Sequence, residues 1–292
     1  MEVLGNTKEI PEDHGRARPT YYVKLKELQF NSKFFITVKL LMKAIITAAG
    51  LGTRSGLNGI IRKELLNIYD YRDGSIVLRP IIDVLIHNLQ RVGIRDIAVV
   101  LDSKDAISQL YLKETYPSVN IIFQKEKKGF GDAILSAADF FDEKGMVVAA
   151  GDGLILDLDT AVKGINEKMG EDWKLFVMKV DNPSSYGVAV LDRKSYPYKV
   201  MEVVEKPSQP KSNFAICAFY YLPPEILRFI RYDSNGNAEL TDGINEAIKS
   251  GISFSAIEIR RNSWISVGKA ESYTSVLKRS YDFAVKKELY SK

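Results

Sequence analysis

A glycine-rich segment followed by basic side chains is the strongest chemical signal in this 292-residue sequence. The segment runs from Ala48 to Arg54 as Ala-Ala-Gly-Leu-Gly-Thr-Arg, directly after an apolar stretch, and Lys63 comes after it. Glycines let the backbone approach a ligand closely and expose amide N–H groups, while arginine and lysine neutralise a polyphosphate. The pattern is neither a Walker loop nor a complete Gly-x-Gly-x-x-Gly fingerprint, so neither of those generic sites is indicated. We expect a phosphorylated ligand at this loop.

Histidine is scarce, which narrows the chemistry. The chain contains only His14 and His87, so histidine-based nucleophilic catalysis and multi-histidine metal sites are close to excluded. Any reaction must therefore use carboxylates, lysines, arginines and backbone amides.

The overall composition indicates a cytoplasmic protein. The net charge of +4, from 41 basic and 37 acidic residues, is too small and too evenly spread to indicate a nucleic-acid partner. No run approaches the roughly 20 apolar residues of a membrane span, and the N-terminus lacks a signal-peptide pattern, so we expect no membrane partner. The single cysteine, Cys217, lies in an apolar segment and is expected at a buried strand position.

Apolar periodicity predicts an α/β fold. Strand-like and helix-like segments alternate about five times up to Ala150, which predicts a Rossmann-like, open, mostly parallel sheet with helices on both faces. From Trp173 onward the pattern is richer in strands and predicts a smaller mixed or antiparallel lobe packed against the first. Ligands in such sheets bind beyond the carboxyl ends of the strands. The predicted strands are 43–49, 96–101, 119–123, 146–150, 175–180, 188–191, 199–205 and 214–222, and the predicted helices are 78–92, 104–116, 131–140, 239–249 and 270–285.

The glycine-rich segment and Lys63 together resemble the opening signature of the sugar-1-phosphate nucleotidylyltransferases, especially the glucose-1-phosphate uridylyl- and thymidylyltransferases. That signature is a strand, then Gly-x-Gly-Thr-Arg, then a lysine in a Lys-x-Leu-Leu context. The resemblance implies the nucleotide-diphospho-sugar transferase fold, with residues 42–292 as the nucleotidyltransferase domain. It also implies that the nucleotide is bound by Ala49, Gly50, Gly52, Thr53, Gln124 and Gly129.

Residues 1–41 differ in composition from the rest and form an N-terminal extension. They are either a small packed appendage or the product of a start codon upstream of Met42.

Later motifs follow the same family in order. Gln124, with Gly129 five residues on, is similar to the segment that contacts a uracil or thymine edge, and Asp152 in Gly151-Asp152 is similar to the magnesium carboxylate. Tyr186 and Gly187 resemble the sugar-contacting Tyr-Gly-Val. Glu205 and Lys206 resemble a Glu-Lys-Pro whose carboxylate takes sugar hydroxyls and whose ammonium takes the sugar phosphate.

The activity implied is transfer of a nucleotidyl group from UTP or dTTP to a hexose 1-phosphate, most simply glucose 1-phosphate, with release of pyrophosphate. The attacking phosphate oxygen is already anionic, so catalysis needs positioning and charge neutralisation rather than a general base. The resemblance assigns that neutralisation to Mg²⁺ held by Asp152, and to Arg54, Lys63 and Lys206. It also implies a homo-oligomer.

One departure from the family pattern keeps an alternative to the transferase open. Trp264-Ile265-Ser266-Val267-Gly268 has serine where the family has the aspartate that is its second magnesium ligand. A neutral hydroxyl is a poorer partner for a hard cation. This departure supports a non-catalytic protein that binds a nucleotide or nucleotide-sugar. A separate alternative is a cytidylyltransferase acting on an alcohol phosphate, against which Gln124 and the Glu-Lys-Pro segment count.

Overall fold

A computed structural model describes residues 42–50, 52, 56–57, 59–159, 161–162, 172–194 and 196–291. The predicted N-terminal extension, Thr53 and Arg54 lie outside these described residues. No helix in the described ranges is long and apolar enough to cross a membrane.

The described part of the chain is built on one large sheet of nine strands. Its spatial order is β5-β4-β1-β6-β11-β8-β12-β10-β9. The strands of the described residues, in chain order, are β1 (Lys43–Thr47), β2 (Asn67–Arg72), β3 (Ser75–Pro80), β4 (Asp96–Asp102), β5 (Asn120–Gln124), β6 (Met146–Ala150), β7 (Gly153–Ile155), β8 (Trp173–Lys179), β9 (Val188–Asp192), β10 (Tyr198–Val204), β11 (Phe214–Leu222), β12 (Phe254–Glu258) and β13 (Trp264–Ser266).

The first half of this sheet is parallel, as predicted. Strands β5, β4, β1 and β6 pair in parallel register, with Thr47 of β1 opposite Val100 of β4 and Ala150 of β6. Their carboxyl ends therefore meet at one edge. The chain leaves β1 toward β4 and β5, then returns to place β6 on the other side of β1, which is the topological switch point where ligands bind in such sheets.

The prediction of a separate second lobe is wrong, because the later strands belong to the same sheet as the first ones. Strand β11 pairs antiparallel with β6 on one side and with β8 on the other, so the later strands extend the first sheet edge to edge. They are not packed against it as a separate layer. This extension is mixed, because β8 and β12 pair in parallel while β10 pairs antiparallel with β12 and β9.

Helices cover both faces of the sheet. Alternate β1 residues lie in separate cores, with Ile46 in one and Ile45 in the other. The first core contains residues of α1, α2 and α5, and the second contains residues of α3 and α4. The helices whose bounds lie in the described ranges are α1 (Ile81–Arg91), α2 (Ala106–Thr115), α3 (Phe130–Ser136), α4 (Leu240–Lys249) and α5 (Ala270–Ser291), with 3₁₀ turns at Lys63–Leu65, Ala138–Phe140, Pro183–Ser185 and Pro224–Arg228.

A β-hairpin replaces the start of the predicted helix 78–92. Strands β2 and β3 pair antiparallel around Asp73 and Gly74, which both have positive φ. This is the turn chemistry of a two-residue hairpin loop. Helix α1 therefore begins only at Ile81, and Leu78 is a half-exposed strand residue.

The expectation for Cys217 is confirmed. It lies in β11 and is 2% exposed, and burial raises the pKa of its thiol. It is a core residue rather than a reactive thiol.

Candidate functional site

Two clefts open beside the carboxyl ends of the parallel strands. The first cleft, of about 360 Å³, is lined by residues that end β1, β5 and β6, including Thr47, Gln124 and Ala150. The second cleft, of about 540 Å³, lies toward β11 and α5 and is lined by Tyr186 and Ser266 among others. The walls of both include Phe130, Ala150 and Asp152. The clefts therefore adjoin at Asp152.

Lys63 and Asp152 form an ion pair at this junction. Asp152 follows β6 in a tight turn, and Lys63 opens the 3₁₀ turn Lys63–Leu65. The ammonium Nζ lies 2.5 Å from Oδ2 of the carboxylate, and both side chains are less than one-fifth exposed. Two residues that the sequence predicted for one catalytic site are thus in direct contact.

Glu64 lies beneath the ion pair and was missed by sequence reasoning. It lines the first cleft yet is only 2% exposed, and its Oε2 has no hydrogen-bond partner among the described residues. Its Cγ lies within 3.2 Å of where a Cβ on Gly151 would be. Burial raises the pKa of Glu64 from 4.5 to about 8, although the neighbouring Lys63 opposes this shift. At neutral pH Glu64 is therefore mainly uncharged, which leaves Asp152 as the carboxylate of this junction.

Arg62, a second residue missed from sequence, contacts the glycine-rich segment that lines the first cleft. Its guanidinium bonds the Asp102 carboxylate at the end of β4 at 2.7 Å and the Gly50 carbonyl at 3.3 Å. Lys127 lines the same cleft and lies 2.6 Å from the same carboxylate. Burial alone would raise the pKa of Asp102, but the Lys127 hydrogen bond and nearby positive charges bring it below its ordinary value. Arg62 thereby ties the glycine loop to the neighbouring strand.

Gln124 and Gly129, both predicted to bind the nucleotide, lie in contact in the first cleft. Gln124 ends β5, and its amide nitrogen lies 3.3 Å from the Gly129 carbonyl. Gly129 directly precedes α3 and has a φ of 102, and a Cβ there would lie 2.5 Å from the Ala238 carbonyl oxygen. Glycine is required at this position by both backbone conformation and space. Ala49 and Gly50 line this cleft as well, and Gly52 has a left-handed φ of 62.

The predicted sugar-site residues meet in the second cleft. Tyr186, Gly187, Glu205 and Lys206 all line it. Lys206 has a positive φ of 39, donates its backbone N–H to the Tyr186 carbonyl, and pairs its ammonium with Glu205. The Glu205 carboxylate lies against Gly187, since a Cβ on that glycine would be 3.2 Å from Oε2. These two short segments form one polar wall.

Ser266 lies beside Asp152, as its place in the family motif implies. Strand β13 pairs with β7 so that Ser266 is opposite Gly153, and the Val267 N–H donates to the Asp152 carbonyl at 2.8 Å. Position 266 therefore belongs to the same junction, and it carries a hydroxyl group in place of a carboxylate. The described residues contain no cluster of three or more His, Cys, Asp or Glu side chains suited to a metal.

Fold and clefts together define an α/β protein with two adjoining clefts at the switch point of its sheet, an arrangement typical of nucleotide-binding enzymes. Residues 43–281 match the protein family described as "Nucleotidyl transferase". The chain belongs to this family of transferases.

Curated relatives agree with this membership. The chain is 31% identical over 245 residues to the bifunctional sugar-1-phosphate nucleotidylyltransferase/acetyltransferase of Sulfurisphaera tokodaii, covering 82% of the chain but only 56% of that relative. It is 30% identical over 242 residues to UTP–glucose-1-phosphate uridylyltransferase 2 of Staphylococcus saprophyticus, covering 71% of the chain and 81% of the relative. The chain thus spans about half of the bifunctional relative and most of the other.

A solved structure supports the fold. The UTP-bound UGPase of Acinetobacter baumannii superposes with a TM-score of 0.66 over 86% of the chain and 99% of that structure, at 21% identity. At this identity the likeness establishes the α/β nucleotide-diphospho-sugar transferase architecture.

Proposed function

We propose that the protein transfers a uridylyl or thymidylyl group from UTP or dTTP to a hexose 1-phosphate, with glucose 1-phosphate as the first substrate to test. The observation that carries this proposal is the junction of the two clefts at Asp152 and Lys63. A nucleoside triphosphate in the first cleft and a sugar 1-phosphate in the second would meet there. The uridylyltransferase relative supports the same pairing of substrates.

The reaction is a displacement at the α-phosphorus of the nucleotide. A phosphate oxygen of the sugar 1-phosphate forms the new P–O bond, and the bond to the bridging oxygen between the α and β phosphorus atoms breaks. Pyrophosphate leaves with that electron pair. The nucleophile is anionic at neutral pH, because the second pKa of a phosphomonoester is about 6, so no general base is required.

The protein contributes positioning and positive charge. Lys63 faces the junction, where phosphates of both substrates would converge, and Lys206 lies on the wall of the second cleft. Glu205, beside Gly187 and Tyr186, offers carboxylate oxygens to sugar hydroxyls. Preorganised charge of this kind is a large term in phosphoryl transfer. Arg54 is assigned to the same role by the family motif alone.

A magnesium ion suits this site, although the protein donors are few. Asp152 would supply a hard oxygen ligand, and the Ser266 hydroxyl on the same wall would supply a neutral one. Mg²⁺ is commonly held by one or two carboxylates together with substrate phosphates, so this small donor set fits. A bound ion would neutralise phosphate charge and favour departure of pyrophosphate.

The test is pyrophosphate release by the purified protein with Mg²⁺ and glucose 1-phosphate, using UTP, dTTP, CTP, ATP and GTP in turn. We expect turnover with UTP or dTTP, and a loss of about 100-fold or more in Asp152→Asn because a charge at the reacting phosphates is removed. The matched control is Asp282→Asn, the same change at an exposed position of α5, which should retain activity. Equal activity in both variants would remove Asp152 from the mechanism.

The serine beside Asp152 favours a second candidate, a protein that binds nucleotide-sugar without turnover. Ser266→Asp restores a second carboxylate at the junction and separates the two. No turnover by the native chain, with activity gained in Ser266→Asp, would establish the binding protein. Activity in the native chain would rule it out.

A further inference from the structure

We propose that Asp132 and Tyr232 fix the orientation of the Gln124 amide and thereby select uracil and thymine over cytosine. This inference rests on the proposed function, because it concerns the nucleotide that the first cleft accepts. The residues concerned lie at the end of β5, in the first turn of α3 and, 100 residues further along the chain, at Tyr232.

Two acceptors face the same atom of Gln124. Its Nε2 lies 2.5 Å from Oδ2 of Asp132 and 3.3 Å from the carbonyl oxygen of Gly129. A backbone carbonyl and an ionised carboxylate can only accept hydrogen bonds, so the atom opposite them must be the amide NH₂. The usual ambiguity between the nitrogen and oxygen of a glutamine amide is therefore resolved by the neighbours.

Asp132 is held as a carboxylate acceptor by its other contacts. It is 7% exposed, and its second oxygen, Oδ1, accepts the Tyr232 hydroxyl at 2.6 Å. The hydrogen bond to Asp132 raises the pKa of Tyr232, so the phenol remains a donor. Both carboxylate oxygens thus receive hydrogen bonds.

The consequence is that Gln124 presents its carbonyl oxygen to the ligand. The amide is planar, so Oε1 projects away from Asp132 and Gly129, and no group in the described ranges donates to it. Gln124 lines the first cleft. Oε1 is therefore the amide atom available to a base, and it can only accept a hydrogen bond.

This polarity distinguishes the pyrimidines. Uracil and thymine carry an N3–H donor on their Watson–Crick edge, whereas N3 of cytosine is an acceptor. Oε1 can accept a hydrogen bond from N3–H of uracil or thymine, but it would face the N3 lone pair of cytosine. A site that reads a base by a buried hydrogen bond rejects a mismatched analogue strongly, so we expect kcat/KM for UTP to exceed that for CTP by about 100-fold or more. The 5-methyl group of thymine does not contact this edge, so UTP and dTTP are not separated by it.

The experiment compares the UTP to CTP ratio of kcat/KM in the native protein, Asp132→Asn, Tyr232→Phe and the control Asp139→Asn, an exposed aspartate beyond α3. Asparagine can offer either a donor or an acceptor to Gln124, so the ratio should fall about tenfold or more in Asp132→Asn and be unchanged in the control. Tyr232 is 52% exposed, so its hydroxyl can be removed without disturbing the core. We expect a smaller fall in that variant.

The outcomes separate this inference from the proposed function. An unchanged ratio in an active Asp132→Asn variant overturns the inference and leaves the transferase intact. If Asp132→Asn does not fold, Tyr232→Phe decides by the same criterion. If the native chain releases no pyrophosphate, calorimetric binding of UTP and CTP replaces kcat/KM. If that chain binds UTP more tightly than CTP and the preference depends on Asp132, the inference is supported although the proposed function fails. If it binds UTP and CTP equally, both the inference and the proposed function are overturned.

Discussion

Glu64 provides the sharpest test of the electrostatics at the junction. Its carboxyl group is 2% exposed and has a pKa of about 8 in the folded protein, against 4.5 for the unperturbed side chain. The folded protein keeps this proton in the window where the unfolded chain releases it. Rising pH must therefore favour unfolding between pH 4.5 and about 8, because the unfolded state binds fewer protons there.

The expected size follows from that window. A difference of one bound proton changes the free energy of unfolding by about 1.4 kcal/mol per pH unit. Between pH 5 and pH 7.5 the native protein should therefore lose about 3 kcal/mol of stability through Glu64 alone. Glu64→Gln cannot titrate and removes this slope. A buried amide NH₂ without a partner adds a cost of about 1–3 kcal/mol, but that cost does not depend on pH.

The assay is urea unfolding of the native protein, Glu64→Gln and the exposed control Glu114→Gln at pH 5, 6 and 7.5. From pH 5 to pH 7.5, the free energy of unfolding of Glu64→Gln should rise by about 3 kcal/mol relative to that of the native protein. For the control the difference from the native protein should stay constant. A constant difference for Glu64→Gln would mean that the carboxyl group is ionised in the folded protein, and the reasoning on its burial would be refuted.

Two further predictions concern Gly129, which lines the first cleft, and Arg62, which contacts the Gly50 carbonyl. Gly129→Ala should lower the free energy of unfolding by about 2–4 kcal/mol, because its Cβ would lie 2.5 Å from the Ala238 carbonyl oxygen at a φ of 102. Thermal unfolding measures this loss, and a midpoint equal to that of the native protein would contradict it. Arg62→Met should cost about 3 kcal/mol, because it removes the buried guanidinium that faces the Asp105 carboxylate as well as that of Asp102, which Lys127 also contacts. Arg62→Met should also raise KM for the nucleotide, because the Gly50 carbonyl loses its hydrogen bond from Arg62. An unchanged KM in steady-state kinetics would show that this hydrogen bond affects stability only.

Much of the fold was predictable because it depends on local periodicity. The buried strands and their intervening helices follow apolar patterns that a short window contains, and their bounds agree within a few residues. The hairpin of β2 and β3 had a local signal too, since Asp73-Gly74 is a strong turn pair. It was missed because Leu78 continues the helical spacing of Ile81 and Ile82, although it lies in a strand.

The sheet extension could not be predicted in the same way. Whether β11 pairs with β6 or begins a separate layer is decided by contacts between residues about 70 apart, such as Tyr220 opposite Val148. Nothing in either segment alone specifies this partner. Strands β7 and β13 are each three residues long, too short to show alternation, yet they bring Ser266 beside Asp152.

The candidate site was predictable to the extent that it follows family motifs. Lys63, Asp152 and Gln124 stand in such motifs, and the structure brings Lys63 to Asp152 and Gln124 to Gly129. Glu64 and Asp132 adjoin the same motifs but gave no signal of their own. Their roles come from burial and from partners that only the folded chain brings close.

The Lys63–Asp152 pair indicates how a site with one charged carboxylate at its junction could still hold a cation. In the structure the ammonium and the carboxylate neutralise each other, while Glu64 remains uncharged at neutral pH. A triphosphate arriving in the first cleft brings several negative charges that compete with Asp152 for the same ammonium. When the Lys63 ammonium pairs with phosphate in place of Asp152, the Asp152 carboxylate becomes free to bind a divalent ion. Nucleotide and metal binding should therefore be positively coupled, and Lys63→Met should weaken nucleotide binding while strengthening metal binding without nucleotide, as calorimetry with Mg²⁺ alone can measure.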